Sequence, residues 1–194
     1  MAAVIHRLHA LFHPGEYHGW GRKRRYFEGW YYKVINRQEN RAYAFIPGIA
    51  MNETGEQHAF VQGLDGKNKL AEYHTFPSEA FRPSPGRMEI RIAGNCFTAN
   101  RLELDLPDIR GKLEFSGMVP WPVRWYSPGI MGPYTFVPFM ECYHGILSMD
   151  HSISGELIIE GHIVDFTAGR GYMEKDWGHS FSSGYIWMQT NHFQ

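Results

Sequence analysis

The apolar runs of this chain are short, and turn-forming residues break them at nearly regular intervals. Its 194 residues include 21 glycines and 11 prolines, spread from end to end. Where the runs have a period it is two: Arg87–Ala93 (RMEIRIA) puts Met88, Ile90 and Ile92 on one face, the pattern of a half-buried strand. Only Val4–Phe12 has a helical pattern. The rhythm predicts an all-β, antiparallel protein.

The expected strands are Phe27–Asn36, Arg41–Met51, Gln57–Leu64, Leu70–Phe76, Arg87–Ala93, Cys96–Leu106 and Arg110–Met118. Pro47-Gly48 marks a bend or bulge in the second, and Asp65-Gly66 a hairpin turn after the third. Pro120–Pro138 carries five prolines with Trp121, Trp125 and Tyr134, so it reads as an ordered connection without a ladder of its own. Beyond it, strands are expected at Cys142–Ser148, Ser154–Ile159, His162–Phe166, Gly171–Lys175 and Tyr185–His192, with a tight turn at Glu160-Gly161. An aromatic strand at a sheet edge invites pairing with another chain. Self-association through Tyr185–His192 is therefore an expectation.

Net charge is −1, from 19 basic and 20 acidic residues, which argues against a nucleic-acid partner. Arg22–Arg25 (RKRR) is a local exception and reads as a solvated loop. Cys96 and Cys142 are the two cysteines, with no metal-ligand or redox spacing; lone thiols suit a reducing compartment, and a cytoplasmic location is expected. His6, His9 and His13 have near-helical spacing, but no carboxylate is evident to complete a metal site. No metal and no cofactor are expected, since phosphate-binding and dinucleotide fingerprints are also missing.

Two stretches concentrate chemistry. Gly169–Phe181 (GRGYMEKDWGHSF) sets Glu174, Lys175, Asp176 and His179 among Tyr172, Trp177 and Phe181. Phe27–Lys33 (FEGWYYK) sets Glu28 among Trp30, Tyr31 and Tyr32. Alternation in a strand puts Tyr172, Glu174 and Asp176 on one face, with Met173, Lys175 and Trp177 on the other. Glu28, Trp30 and Tyr32 likewise share a face. Paired carboxylates against apolar walls suit general acid chemistry. Asp176, Glu174 and Glu28 are thus the candidate catalytic residues. Trp30, Tyr32, Tyr172, Trp177, Trp187 and His144 are the candidate substrate contacts, and both stretches are expected around one cavity. Glu141, Asp150 and His151 form a further polar group with His144. A structural reading stays open at each point: Asp176 capping the turn at Gly178, Glu174 and Glu28 in ion pairs.

FEGWYYK, Met131–Asp150 (MGPYTFVPFMECYHGILSMD), GRGYMEKDWGHSF and Tyr185–Phe193 (YIWMQTNHF) resemble the tocopherol cyclase family, from about His13 onward. The resemblance implies an antiparallel lipocalin-like barrel, here a first barrel plus the opening strands of a second. On that basis residues 1–25 are an N-terminal extension and 26–119 a first barrel domain. Residues 120–138 are a crossover and 139–194 the start of a second barrel, cut short by truncation. It implies acid-catalysed chroman closure of a prenylated quinol, without a cofactor. The expected partner is a hydrophobic small molecule, reached with peripheral access to a membrane. A non-enzymatic lipocalin-like binder and an inactive fragment remain open as alternatives.

Overall fold

The computed structural model describes residues 2–181, 183, 184 and 186–190. One antiparallel sheet of twelve strands dominates it. In chain order the strands are β1 (Tyr26–Ile35), β2 (Ala42–Met51), β3 (Gln57–Asp65), β4 (Leu70–Pro77), β5 (Phe81–Pro83), β6 (Glu89–Ile92), β7 (Asn95–Thr98), β8 (Arg101–Asp105), β9 (Ile109–Ser116), β10 (Cys142–Ile159), β11 (His162–Asp165) and β12 (Gly169–Gly178). The spatial order is β4-β3-β2-β1-β12-β10-β9-β8-β7-β6-β5, with β11 paired to β10. The sheet curls round a single core but does not close, since β4 and β5 stand at its two ends. The all-β antiparallel class is as expected. The helix is α1 (Ala2–Ala10), and none is long and apolar enough to cross a membrane among the described residues.

Alternation builds the core. β1 buries every second side chain, from Tyr26 through Glu28, Trp30 and Tyr32 to Val34. These meet Phe45, Phe97, Leu102, Leu113, Phe115, Leu157 and Met173 inside the curl. Burying such large apolar side chains stabilises by roughly 1.5–3 kcal/mol each.

Several boundaries differ from expectation. Cys96–Leu106 is two strands, because the chain turns at Ala99-Asn100 and β7 pairs back on β8. Pro47 lacks an N–H, yet the β2–β3 register runs through it without a shift. The two strands expected at Cys142–Ser148 and Ser154–Ile159 are one, β10, carried past register shifts around Ser148. The Ser148 hydroxyl occupies that irregularity, donating to the Asp150 carbonyl at 2.8 Å. Glu160-Gly161 is a tight turn, with positive φ at both residues. Strands from both sides of residues 120–138 belong to one sheet: β10 pairs β9, and β12 pairs β1. Ile186–Thr190 is not strand. The remainder of the expected terminal strand, Tyr185 and residues 191–192, lies outside the described residues.

The N-terminal extension is part of the fold. Residues 15–19 cross one end of the sheet, where the Trp30 indole donates to the Gly15 carbonyl at 2.8 Å. Residues 120–138 run beside them as an irregular connection containing a short 3-10 turn, Gly132–Phe136. Trp125 there, and Phe139 just after it, stand 82% and 79% exposed.

Candidate active site

β1 and β12 bring the two chemical stretches side by side, with Glu28 opposite Trp177, Trp30 opposite Lys175, and Tyr31 opposite Glu174. Directly opposed side chains share a face of the sheet. The faces therefore sort the candidates into two groups that do not meet.

Glu28, Trp30, Tyr32, Lys175 and Trp177 point inward. Glu28 is fully buried. Its carboxylate accepts the His18 N–H at 2.9 Å, the Gly19 N–H at 3.0 Å and the Tyr26 hydroxyl at 2.5 Å. A Cβ on Gly19 would run into Tyr17 and Tyr26, so glycine there lets the backbone reach the carboxylate. Lys175 completes the shell with an ion pair to Glu28 and also donates to the Glu16 carbonyl. Its ammonium lies 4.8 and 4.7 Å from the Trp30 and Trp177 ring centres, within cation–π range. Burial alone would raise the Glu28 pKa, but the Lys175 charge and the His18 bond outweigh it and hold it below the usual carboxylate value. Burial pulls Lys175 down to about 8 against the pull of Glu28. Burial and the Lys175 charge keep His18 low; its Nδ1, 2.6 Å from Nζ, is then the acceptor.

This arrangement corrects the catalytic reading of Glu28. A carboxylate saturated with donors and sealed from solvent has no proton to give. Trp30 and Tyr32 are likewise core side chains, 0% and 1% exposed. Trp177 stacks between His18 and Tyr143, at 4.2 and 5.6 Å. It faces a different cleft, beside Arg22–Arg25 and Phe139.

Tyr172, Glu174 and Asp176 point outward, as alternation predicts. Glu174 and Asp176 floor a concavity of about 720 Å³ with His144 and Cys142 of β10. Tyr31, Ile46, Leu64, Phe181, Ile186 and Trp187 provide apolar and aromatic walls. Strand pairing sets the spacing: His144 is directly opposite Asp176, and Ile146 opposite Glu174. His144 Nδ1 lies 2.8 Å from Asp176 Oδ1, and its Nε2 lies 3.8 Å from Glu174 Oε2. Glu174 is 5% exposed. It accepts the Tyr172 hydroxyl at 2.5 Å and the Trp187 indole N–H at 3.0 Å. Lys33 reaches the same side and donates to Gln189 at 2.5 Å.

The electrostatics follow. Burial would lower the His144 pKa, but the hydrogen bond and charge of Asp176, with Glu174 behind, raise it above the ordinary value. Burial, then the charge of Glu174, pushes Tyr31 up to about 12. Burial, then Asp176, takes the Cys142 thiol to about 12, so it is inert as a nucleophile. The candidates Glu174, Asp176, Tyr172, His144 and Trp187 are thus together. Sequence reasoning missed Tyr31, Cys142 and Lys33 as parts of this face. The available signal was alternation in β1, which puts Tyr31 and Lys33 opposite to Glu28.

Residues 120–194, which include Cys142, His144, Glu174 and Asp176 of the concavity, match the family described as tocopherol cyclase-like. No curated protein matches the chain. The fold is shared with the crystal structure of CghA, at TM-score 0.50 and 10% identity, over 80% of this chain and 46% of that one. The crystal structure of CghA with Sch210972 aligns at TM-score 0.48 and 12% identity, over 79% of this chain and 46% of that one. The chain therefore spans under half the length of the solved structures it matches, and the likeness to them is one of fold.

Proposed function

We propose, for a chain whose residues 120–194 match the tocopherol cyclase-like family, that the outward cluster of His144, Glu174 and Asp176 promotes ring closure of a prenylated phenol or quinol. The observation that carries the reading is a histidine placed between two carboxylates on the floor of an aromatic-walled concavity.

The chemistry is an isomerisation. A proton adds to the less substituted carbon of the prenyl double bond, and a tertiary cation forms. The phenol oxygen attacks that cation and releases its own proton, so nothing is gained or lost overall. Asp176 holds His144 by Nδ1 and favours the imidazolium, which leaves Nε2–H as the donor facing the concavity. The acid is then His144, with Asp176 as its positioning residue. Glu174, held by a tyrosine and a tryptophan, is the negative charge beside the cation and then takes up the phenol proton, which returns to His144 Nε2, 3.8 Å away, to reset the pair. The rings of Tyr31 and Trp187 stabilise the cation by about 0.5–2 kcal/mol each. Hydrophobic walls limit the water that would otherwise trap the cation as an alcohol.

The test is incubation of the protein with a prenylated hydroquinone in D₂O. Chromatography would resolve a chroman of otherwise equal mass carrying one deuterium from solvent. His144→Gln should reduce its formation by ~10²-fold or more. Should the parent bind the quinol and form no chroman, with His144→Gln binding equally well, the concavity is a hydrophobic binding site and the cyclase reading fails.

A further inference from the structure

The turn after α1 gathers three side chains that ring closure does not use. His9 lies in the last turn of the helix, His13 follows four residues later and Glu16 three after that. One ligand atom from each lies within 4.8 Å of the others. His9 Nδ1 is 3.0 Å from Glu16 Oε2. His13 Nδ1 is 2.8 Å from the His9 carbonyl oxygen. A carbonyl can only accept, so this ring nitrogen carries the proton and Nε2 holds the free lone pair. Such a bond is how ligand histidines are commonly oriented. Glu16 is fixed from behind: its backbone N–H bonds the His13 carbonyl at 2.9 Å, and its carbonyl accepts Lys175. Its carboxylate side chain is 9% exposed, whereas that of His9 is 49% exposed. The carboxylate that the sequence did not offer to the histidines thus arrives by a fold-back of the chain. His6 is not part of the group; it packs against Trp20 at 5.2 Å.

We propose that His9, His13 and Glu16 bind a divalent transition-metal ion of the zinc type. Two imidazoles and a carboxylate are a known zinc donor set, with bonds of about 2.0–2.2 Å. Such bonds place donor atoms roughly 3–3.5 Å apart, so the His9–Glu16 edge already fits. The His9 and His13 rings are stacked at 4.0 Å and nearly parallel. Two parallel rings cannot both aim at one ion, so the exposed His13 ring must tilt off the stack to bring Nε2 in. The ion takes the place of the proton shared by His9 and Glu16, and that proton is released to solvent. Three protein ligands leave a coordination position open. His13 and Glu16 also border a mainly apolar cleft of about 430 Å³, with Phe12, Met88, Trp121 and Leu147. An ion held here stands at the rim of that cleft, where its open position can take an oxygen ligand of a hydrophobic molecule. The outward concavity plays no part in this site.

Titration of the full chain with Co²⁺, followed by visible absorption, and competition by Zn²⁺ test the proposal directly. Saturable one-to-one binding is expected, with a thermal midpoint that rises with Zn²⁺. Affinity should fall at least ~10-fold in His13→Asn and in Glu16→Gln, since even outer-shell changes cost that much, and should be unchanged in His6→Asn. His13 is exposed, so His13→Asn remains decisive if Glu16→Gln fails to fold. No saturable binding, or equal affinity in His13→Asn, overturns the site.

Discussion

His144 on β10 and Asp176 on β12 are direct cross-strand partners, and Nδ1 of one lies 2.8 Å from Oδ1 of the other. The pair sets the charge on the floor of the concavity. Asp176→Asn keeps the shape and removes the charge. The His144 pKa should then fall from above 6.5 to below it, because burial is left largely unopposed. Titration of the imidazole by NMR measures this. The sign for stability follows: a raised histidine stabilises fully below its unfolded value of 6.5, and this is lost as pH rises through the folded value. Asp176→Asn should reverse that slope, because a histidine lowered below 6.5 loses stability as pH falls. A His144 pKa that does not move in the variant would separate the two residues functionally.

Tyr172 and Trp187 both donate to Glu174, but the two bonds should differ in worth. Tyr172 is 5% exposed and its bond to a buried carboxylate is 2.5 Å. Tyr172→Phe should cost about 1.5–3 kcal/mol, as expected for a hydrogen bond to a charged group. Trp187 is 44% exposed, so Trp187→Phe should cost under ~1 kcal/mol, water replacing the lost donor. Urea unfolding at pH 7 would rank the pair, and the reverse order would mean that the indole closes the site.

Period-two alternation made much of this legible. It fixed which side chains share a face within β1 and within β12, and both assignments stand. It did not fix which face of one strand meets which face of the other. Alternation alone therefore puts Glu28 and Glu174 round one cavity, whereas the register sets Tyr31 opposite Glu174 and leaves Glu28 beside Lys175 in the core. Composition could not reveal that Glu28 is saturated either, because three of its donors come from His18, Gly19 and Tyr26. The Gly19 contribution is a backbone N–H, which carries no side-chain signal. Glu16 was invisible as a partner of His9 for a similar reason: the turn that joins them follows no period.

His151 gives a separate handle on acid sensitivity. It is 2% exposed, and its Nε2 has no hydrogen-bond partner among the described residues. Burial takes its pKa down from 6.5 to about 4. As pH falls through that window the unfolded chain takes up a proton that the folded chain refuses, so stability is lost. The loss by pH 4 should be about 3 kcal/mol, at 1.36 kcal/mol per unit. His151→Leu should remove this slope in melts between pH 4 and 6.5. Gly171→Ala should fail on other grounds, because a Cβ there would overlap the His151 ring; coupling between the two sites would appear as rescue of Gly171→Ala by a smaller residue at 151.

The Glu28–Lys175 pair yields the largest expected effect. Both side chains are wholly buried, and the pair ties the N-terminal extension to β1 and β12 through His18, Gly19 and Glu16. Removing one partner of a buried pair strands the other charge, which typically costs 3–5 kcal/mol. Lys175→Met should therefore lower the melting temperature by roughly 6–20 °C, at about 2–4 °C per kcal/mol for a chain of this size. Glu28→Gln should be comparably damaging at pH 7, since it strands the ammonium between two indoles. The pH dependence distinguishes the two variants. The Glu28 pKa lies below its unfolded value of 4.5, so its contribution is present above 4.5 and is lost as pH falls through the folded value. The deficit of Glu28→Gln relative to the parent should therefore shrink as melts are taken below pH 4.5. The double variant Glu28→Gln, Lys175→Met should recover part of the loss of either single one, because neither charge is then stranded. Simple additivity of the two costs would show that these side chains act independently and that the ion pair does not hold the N-terminal segment in place.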